Sequence, residues 1–432
     1  MKKTAIFFFL SLAINGMAQQ KMTLSDVVNT ALKNSYDIQL AKNNLEITSI
    51  NNNIGVAGGL PLVTGSLTDN EQLTSINQEY SDHTRDAQRD NIGSNNLAYG
   101  VTGSILVFNG YRVVATKKRL GELEKQNQQL LAAQIQNTIA GVLSKYYDVV
   151  RQQTYMKTIL QSIDLSKKKL DILQVRRDVG LSNNADIYQA QLDLNAALQT
   201  QQAQQLVIDQ TKTDLLNLIF MKPDTNILIS DTIIVDKSVN IDDVRASLAK
   251  NPTLAAAEWQ IHINEQIEKE TAAQRYPTLR ANTGYNFTSS KTAAGFSLLN
   301  QSYGPFIGFS LSVPIYNGGI YKRQQQVASI NTKNSVIQRD AVSLTNETSL
   351  VKSYEAYTNT LSQLETELKN YQLSQQLVDL VLQRFELGQA TIIDVKVAQE
   401  TFETEGYRLV NLNYSAKVAE IELKRLSSRL AL

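Results

Sequence analysis

Residues 303–315 read YGPFIGFSLSVPI, and the alternation in this stretch decides the fold. Odd positions carry Tyr303, Pro305, Ile307, Phe309, Leu311, Val313 and Ile315; even positions carry Gly304, Phe306, Gly308, Ser310, Ser312 and Pro314. A period of two sends successive side chains to opposite faces of a strand, so one face is greasy and the other mostly small or polar. Residues 97–108 repeat the pattern, with Leu97, Tyr99, Val101, Ile105 and Val107 opposite Ala98, Gly100, Thr102 and Ser104. Residues 277–287 alternate similarly and residues 60–69 weakly. The result is four strands of about ten residues, the length that a tilted membrane strand requires. A half-buried soluble sheet alternates in the same way. Aromatic residues towards the strand ends (Phe108, Tyr276, Tyr285, Phe287, Tyr303 and Tyr316) and small residues on the opposite face favour a membrane barrel. Four strands cannot close in lipid without leaving backbone groups unpaired, so several copies must share one barrel.

Outward from these strands the chain is built twice. An offset of 216 places Asp26 on Asp242, Leu32 on Leu248, Ala41 on Ala257 and Pro61 on Pro277. Further on, an offset of 208 pairs Gly100 with Gly308, Asn109-Gly110 with Asn317-Gly318, Gly180 with Gly388 and Asp186 with Asp394. The change of offset falls between Leu67 and Leu97, a polar stretch expected to be a long surface loop. No proline occurs between Tyr111 and Phe220 or from Gly319 to Leu432, and both stretches are rich in Leu, Ala, Gln, Glu and Lys. Both read as helix. Ile135, Ile139, Val142, Tyr146 and Val149, and later Leu361, Leu364, Leu368 and Tyr371, recur at coiled-coil spacing. Gly180 and Gly388 interrupt the stretches at equivalent places and supply the left-handed conformation that ends a helix, so each stretch is a helical hairpin. Gln-rich faces (Gln126 to Gln129, Gln199 to Gln205) suit either plain solvated surface or a water-filled lumen.

The implied organisation is a signal peptide over 1–18, a first repeat over 19–220, a linking or equatorial segment over 221–240 and a second repeat over 241–432. The signal peptide follows from Lys2 and Lys3, the apolar run from Ala5 to Ile14, and a small-residue site ending at Ala18. The 42 Lys and Arg residues balance 41 Asp and Glu, which leaves no basic field for nucleic acid. Cysteine is absent, which excludes disulfides, thiolate metal sites and a Cys nucleophile. His83 and His262 stand without partners at ligand spacing, and no phosphate loop, dinucleotide fingerprint or nucleophile elbow occurs. No enzyme, cofactor or metal site is expected; Trp259 reads as packing.

Leu248-Ala249-Lys250-Asn251-Pro252, Val313-Pro314-Ile315-Tyr316-Asn317-Gly318-Gly319 and Arg384-Phe385-Glu386-Leu387-Gly388, followed by Asp394 and Ala398-Gln399, resemble the TolC-like outer membrane efflux family. The resemblance implies a mainly α fold with a small transmembrane β-barrel. It further implies a homotrimeric tunnel in the outer membrane of a Gram-negative-type cell, with its helices in the periplasm. The function implied is a passive channel that exports substrates delivered by an inner-membrane transporter and a periplasmic adaptor, in tripartite efflux or type I secretion. The turns at Gly180 and Gly388 would form its inner end, with a pore constriction of Asp186, Asp394, Phe385 and Arg384. Helix capping is the alternative role of each aspartate. Where well-known members have a Tyr and an Arg that lock the closed state, this chain has Phe385 and Ala390, and Lys396 and Val397 replace a second acidic ring. Closure is therefore expected to rest on packing, Asp394 and Arg384. A periplasmic coiled-coil adaptor, extracted without detergent, and a general diffusion porin, open without partners, are the rival readings.

Overall fold

The structure, a computed structural model, describes residues 20–293 and 297–430; the expected signal peptide lies outside them. It is mostly helical with one four-stranded antiparallel sheet, and it divides into two compact units. One unit comprises Met1–Ala41, Leu131–Leu254 and Ser343–Leu432; the other comprises Lys42–Leu130 and Ala255–Val342.

The second of these holds the sheet, with strands β2 (Leu62–Gln78), β3 (Ala87–Phe108), β5 (Thr278–Thr292) and β6 (Leu299–Ser312) in the order β2-β3-β5-β6. Among the described residues, strands β2 and β6 each keep one edge without a partner strand. The expected surface loop between Leu67 and Leu97 is instead mostly strand, continued by pairs such as Glu71 with Asn95 and Gln78 with Ala87. Its residues are polar on both sides, so no hydrophobic alternation marks it; backbone pairing alone extends the hairpin. Strand β6 ends at Ser312 and not at Ile315, because Pro314 cannot donate to a ladder. Next to the sheet, the start of α3 (Arg112–Asp178) packs on α6 (Pro252–Ala273) through Arg119 Nε and Glu270 at 2.7 Å and Gln126 Nε2 and Gln260 at 2.9 Å. Gln126 thus joins two helices, and Lys125 covers the Trp259 ring at 4.5 Å.

The other unit carries two helical hairpins, α3 with α4 (Asn184–Leu218), and α7 (Ile320–Glu386) with α8 (Ile392–Leu426). Equivalent helices have equal lengths of 67 and 35 residues. The first expected seam is core: Ile139, Val142, Tyr146 and Val149 pack with Leu215, Leu216 and Ile219, and with Val27 and Val28 of α1 (Leu24–Asn34). The second departs from expectation. Leu368 is exposed, whereas the neighbouring Glu367 is only 4% exposed, so a carboxyl occupies a place in the seam.

Candidate functional site

Register places the odd residues of all four strands on one face. Leu67, Tyr99, Phe287 and Tyr303 form one row across the sheet, with ring centroids 4.6 Å apart for Tyr99 and Phe287 and 6.4 Å apart for Phe287 and Tyr303. Successive rows contain Val101, Tyr285 and Pro305, then Val63 and Ile307, then Ile105 and Phe309, and end at Phe108, Leu279 and Leu311. Among the described residues nothing covers this face: Ile307 is 80% and Phe309 73% exposed. Tyr99 to Phe108 spans roughly 30 Å of strand, or about 23 Å after the usual barrel tilt, matching an apolar band of about 25 Å. Polarity rises beyond the aromatic row, with Leu97 and Leu299 the apolar residues left in the next two rows of this face. There Asn95 Nδ2 donates to Asp69 and Glu71 at 2.6 and 2.8 Å, and Lys291 lies in the same row as Asn95 and Glu71. A face that is apolar over one bilayer thickness, bounded by aromatics and then by charge, is suited to lipid.

The two helix turns form the other candidate region. Gly180 and Gly388 have φ of +77° and +78°, the left-handed geometry that a glycine adopts without strain. After Gly180, Asn183 caps α4 by accepting from the Asp186 backbone N–H at 2.9 Å. After Gly388, Thr391 and Asp394 cap each other: the Thr391 backbone N–H and hydroxyl donate to the Asp394 carboxylate at 2.7 and 2.8 Å, and the Asp394 N–H donates back at 3.2 Å. These bonds from Thr391 hold the Asp394 carboxyl below its ordinary value. The Arg384 guanidinium donates to the Gln389 carbonyl at 3.3 Å and closes the turn. Phe385 is 2% exposed and packs among Ile159, Leu173, Ala190 and Val395, beneath the Arg176 guanidinium at 5.1 Å. It therefore holds the turn from inside and presents no surface in the single chain. The turn residues Asp186, Arg384 and Asp394 fall in a unit whose apolar clusters join both hairpins.

Residues 27–219 and 244–429 match the family described as outer membrane efflux protein. The chain belongs to that family. As an outer membrane efflux protein it stands with transport channels and not with enzymes. It is 23% identical to the outer membrane protein TolC of Escherichia coli over 80% of this chain and 71% of TolC. It is likewise 23% identical to TolC of Vibrio cholerae over 70% of each chain. Among solved structures, VceC of Vibrio cholerae aligns with a TM-score of 0.77 at 17% identity, covering 94% of this chain and 96% of that one. The CmeC channel of Campylobacter jejuni aligns at 0.79 and 15% identity, covering 94% and 85%.

Residues 221–240 of this efflux protein, expected as a linking or equatorial segment, are tied down at both ends. Strand β4 (Ile227–Leu228) pairs in parallel with β1 (Gln20–Lys21), and Ile227 and Ile229 are buried. The Tyr146 hydroxyl donates to Asp231 at 2.5 Å; burial first, and this bond second, push its pKa up. The Tyr357 hydroxyl donates to the Asp236 carbonyl, and buried Glu420 accepts from Lys417, Lys424 and the Asp236 backbone N–H. Hydrogen bonds from Ser238 and then Lys424 hold the Asp236 carboxyl far below its usual range. The sequence signal was a pair of short apolar runs, Ile227-Leu228-Ile229 and Ile233-Ile234-Val235. Among the described residues no helix is long and apolar enough to cross a membrane, and no three His, Cys, Asp or Glu side chains gather as metal ligands.

Proposed function

We propose that this efflux protein is a passive channel-tunnel in which three copies join their sheets into one twelve-strand barrel. The leader over residues 1–18 directs export, and the long helices continue from the barrel into the periplasm. Substrates arrive from an inner-membrane transporter through a periplasmic adaptor, in tripartite efflux or type I secretion. A single observation carries the reading: a four-stranded sheet with one bare apolar face and two unpaired edges. In lipid such edges require partner strands, and identical copies supply them.

The inner end of the tunnel is assigned to the turns at Gly180 and Gly388. Asp186 and Asp394, repeated around the axis, would crowd carboxylates at a narrow aperture and attract cations. Arg384 and Phe385 set the shape of the second turn.

The test is membrane extraction, chemical cross-linking and planar-bilayer recording of the full chain. Detergent-dependent extraction and a ladder ending at the trimer are expected. A stable monomer in plain buffer would end the channel reading. Asp394→Ala should raise single-channel conductance or abolish block by divalent cations; unchanged traces would remove Asp394 from the aperture and leave the channel standing.

A further inference from the structure

The face of the sheet opposite the apolar one is patterned as a checkerboard of glycines. Along its even rows, Gly100, Asn286 and Gly304 lie side by side, then Thr102, Gly284 and Phe306, then Ser104, Asn282 and Gly308. Asn286, Phe306 and Asn282 each have a glycine beside them. Two of the gaps are filled sideways, whereas space at Gly304 and Gly308 is open: a Cβ added at Gly100 would lie 2.5 Å from the Asn286 amide oxygen, and one at Gly284 would lie 2.8 Å from Cε1 and 3.1 Å from Cζ of Phe306. The Asn286 amide and the Phe306 ring therefore lie down over the neighbouring glycines instead of standing off the sheet. Phe306 is the one aromatic residue on the even rows of the four strands, and its ring is half-buried by this posture. Glycine in a strand interior sacrifices stability through chain entropy and lost packing, so an alternating set of them calls for a spatial reason.

We propose that the Gly284–Phe306 pair sets the bore of the barrel, Gly284 acting as a positioning residue that keeps the Phe306 ring flat against the wall and out of the path of exported cargo. The inference rests on the barrel reading, in which the even face lines the lumen. In a closed barrel the Phe306 rings of all copies lie at one level. A ring of this size standing upright would project several ångströms towards the axis from every copy at once, whereas one lying over Gly284 adds little more than its thickness. The exposed ring face is also the one apolar surface that passing cargo meets at that level.

The absence of cysteine gives a direct test. Ser310 lies on the same face of the same strand as Phe306, farther from the β5–β6 turn, so reagents entering from the turn side must pass the Phe306 level to reach it. Ser310→Cys is introduced, and the membrane-embedded protein is treated from outside with impermeant thiol reagents of graded size. The largest reagent that reacts measures the bore. Ile307→Cys, on the apolar face, serves as the control for which face is wet. In the Ser310→Cys background, Gly284→Ala should lower the size limit and Phe306→Ala should raise it. The double change Gly284→Ala with Phe306→Ala should lose the Gly284→Ala defect, because no ring remains to be lifted. Because a Cβ at Gly284 would also press on the Val101 carbonyl, Phe306→Ala and Phe306→Trp provide a second pair that leaves this backbone contact alone, with limits raised and lowered respectively. One size limit across all variants would overturn the proposal while the barrel stands. Labelling of Ile307→Cys without Ser310→Cys would overturn the barrel reading and this proposal with it.

Discussion

The two helical hairpins have the same element lengths and turn at equivalent glycines, yet one buried charge in each, Lys169 in the first and Glu367 in the second, is met in opposite ways. In the first, Lys169 is fully buried and its ammonium lies 2.6 Å from Asp193, with Lys396 of the second hairpin 3.8 Å away. Burial pushes the Asp193 carboxyl up, but hydrogen bonds from Lys169 and Gln189 outweigh it and hold the group below its ordinary value. In the second, Glu367 faces Glu405, and the half-exposed Arg408 approaches both, at 3.7 and 3.2 Å. One Glu367 oxygen is buried without a hydrogen-bond partner. Burial, and then the neighbouring Glu405, push the Glu367 pKa up to about 7. A duplicated scaffold thus carries one neutralised pair, insensitive to pH near neutrality, and one like-charged pair poised to take up a proton.

Breaking the first pair should have the largest effect. Lys169→Ala leaves Asp193 without its buried partner and should cost about 3–5 kcal/mol, whereas Lys169→Met should cost much less, since exchanging a buried ion for an apolar group is often near neutral. Thermal unfolding of the detergent-solubilised protein checks both; equal losses would show that packing and not charge is at stake. The second pair sets a pH dependence. Because the folded pKa of Glu367 is raised above its ordinary value of 4.5, the folded state holds the extra proton between that value and about 7. Stability should therefore fall as pH rises through this window and remain low above it. Glu367→Gln should flatten the slope and add up to about 3 kcal/mol at pH 8, at about 1.4 kcal/mol per pH unit between 4.5 and about 7. A slope unchanged in Glu367→Gln would assign the proton to another group.

The turns sharpen the contrast on a smaller scale. Gly180→Ala and Gly388→Ala should each cost about 1–2 kcal/mol for placing a side chain in the left-handed region. The second should cost more, since its Cβ would also meet the Arg176 guanidinium at 3.0 Å, whereas space around Gly180 is open. Equal melting temperatures for the two variants would deny Arg176 a role in the second turn. Thr391→Ala should cost about 1 kcal/mol, and more than Asn183→Ala, because a reciprocal cap loses bonds in both directions. Amide exchange across residues 391–394 and 183–186 separates the two.

The helices and their turns were legible in the sequence because they depend on local chemistry: proline excluded from long stretches, and glycine where φ turns positive. The apolar face of the sheet was legible for the same reason, since Tyr303 to Leu311 alternates without interruption. What escaped depends on partners distant in the chain. The outer halves of β2 and β3 alternate polar with polar, so nothing distinguished them from a loop until Asp69, Glu71 and Asn95 were seen to pair across the ladder. The seam spacing pointed to Leu368, but the helix rotates Glu367 inward instead, and only the presence of Glu405 and Arg408 on α8 makes sense of it. For the same reason Asp186 and Asp394 could each be read as a cap or as pore lining; within the chain Asn183 caps α4 at Asp186, and Thr391 and Asp394 cap each other.

The unpaired margins of the sheet, one on β2 and one on β6, have a genetic corollary. If copies join edge to edge as proposed, a copy with one margin damaged keeps the other intact, so it would still dock with sound copies and spoil the ring it joins. In a cell that makes both kinds, a damaged allele would therefore act dominantly over the sound one.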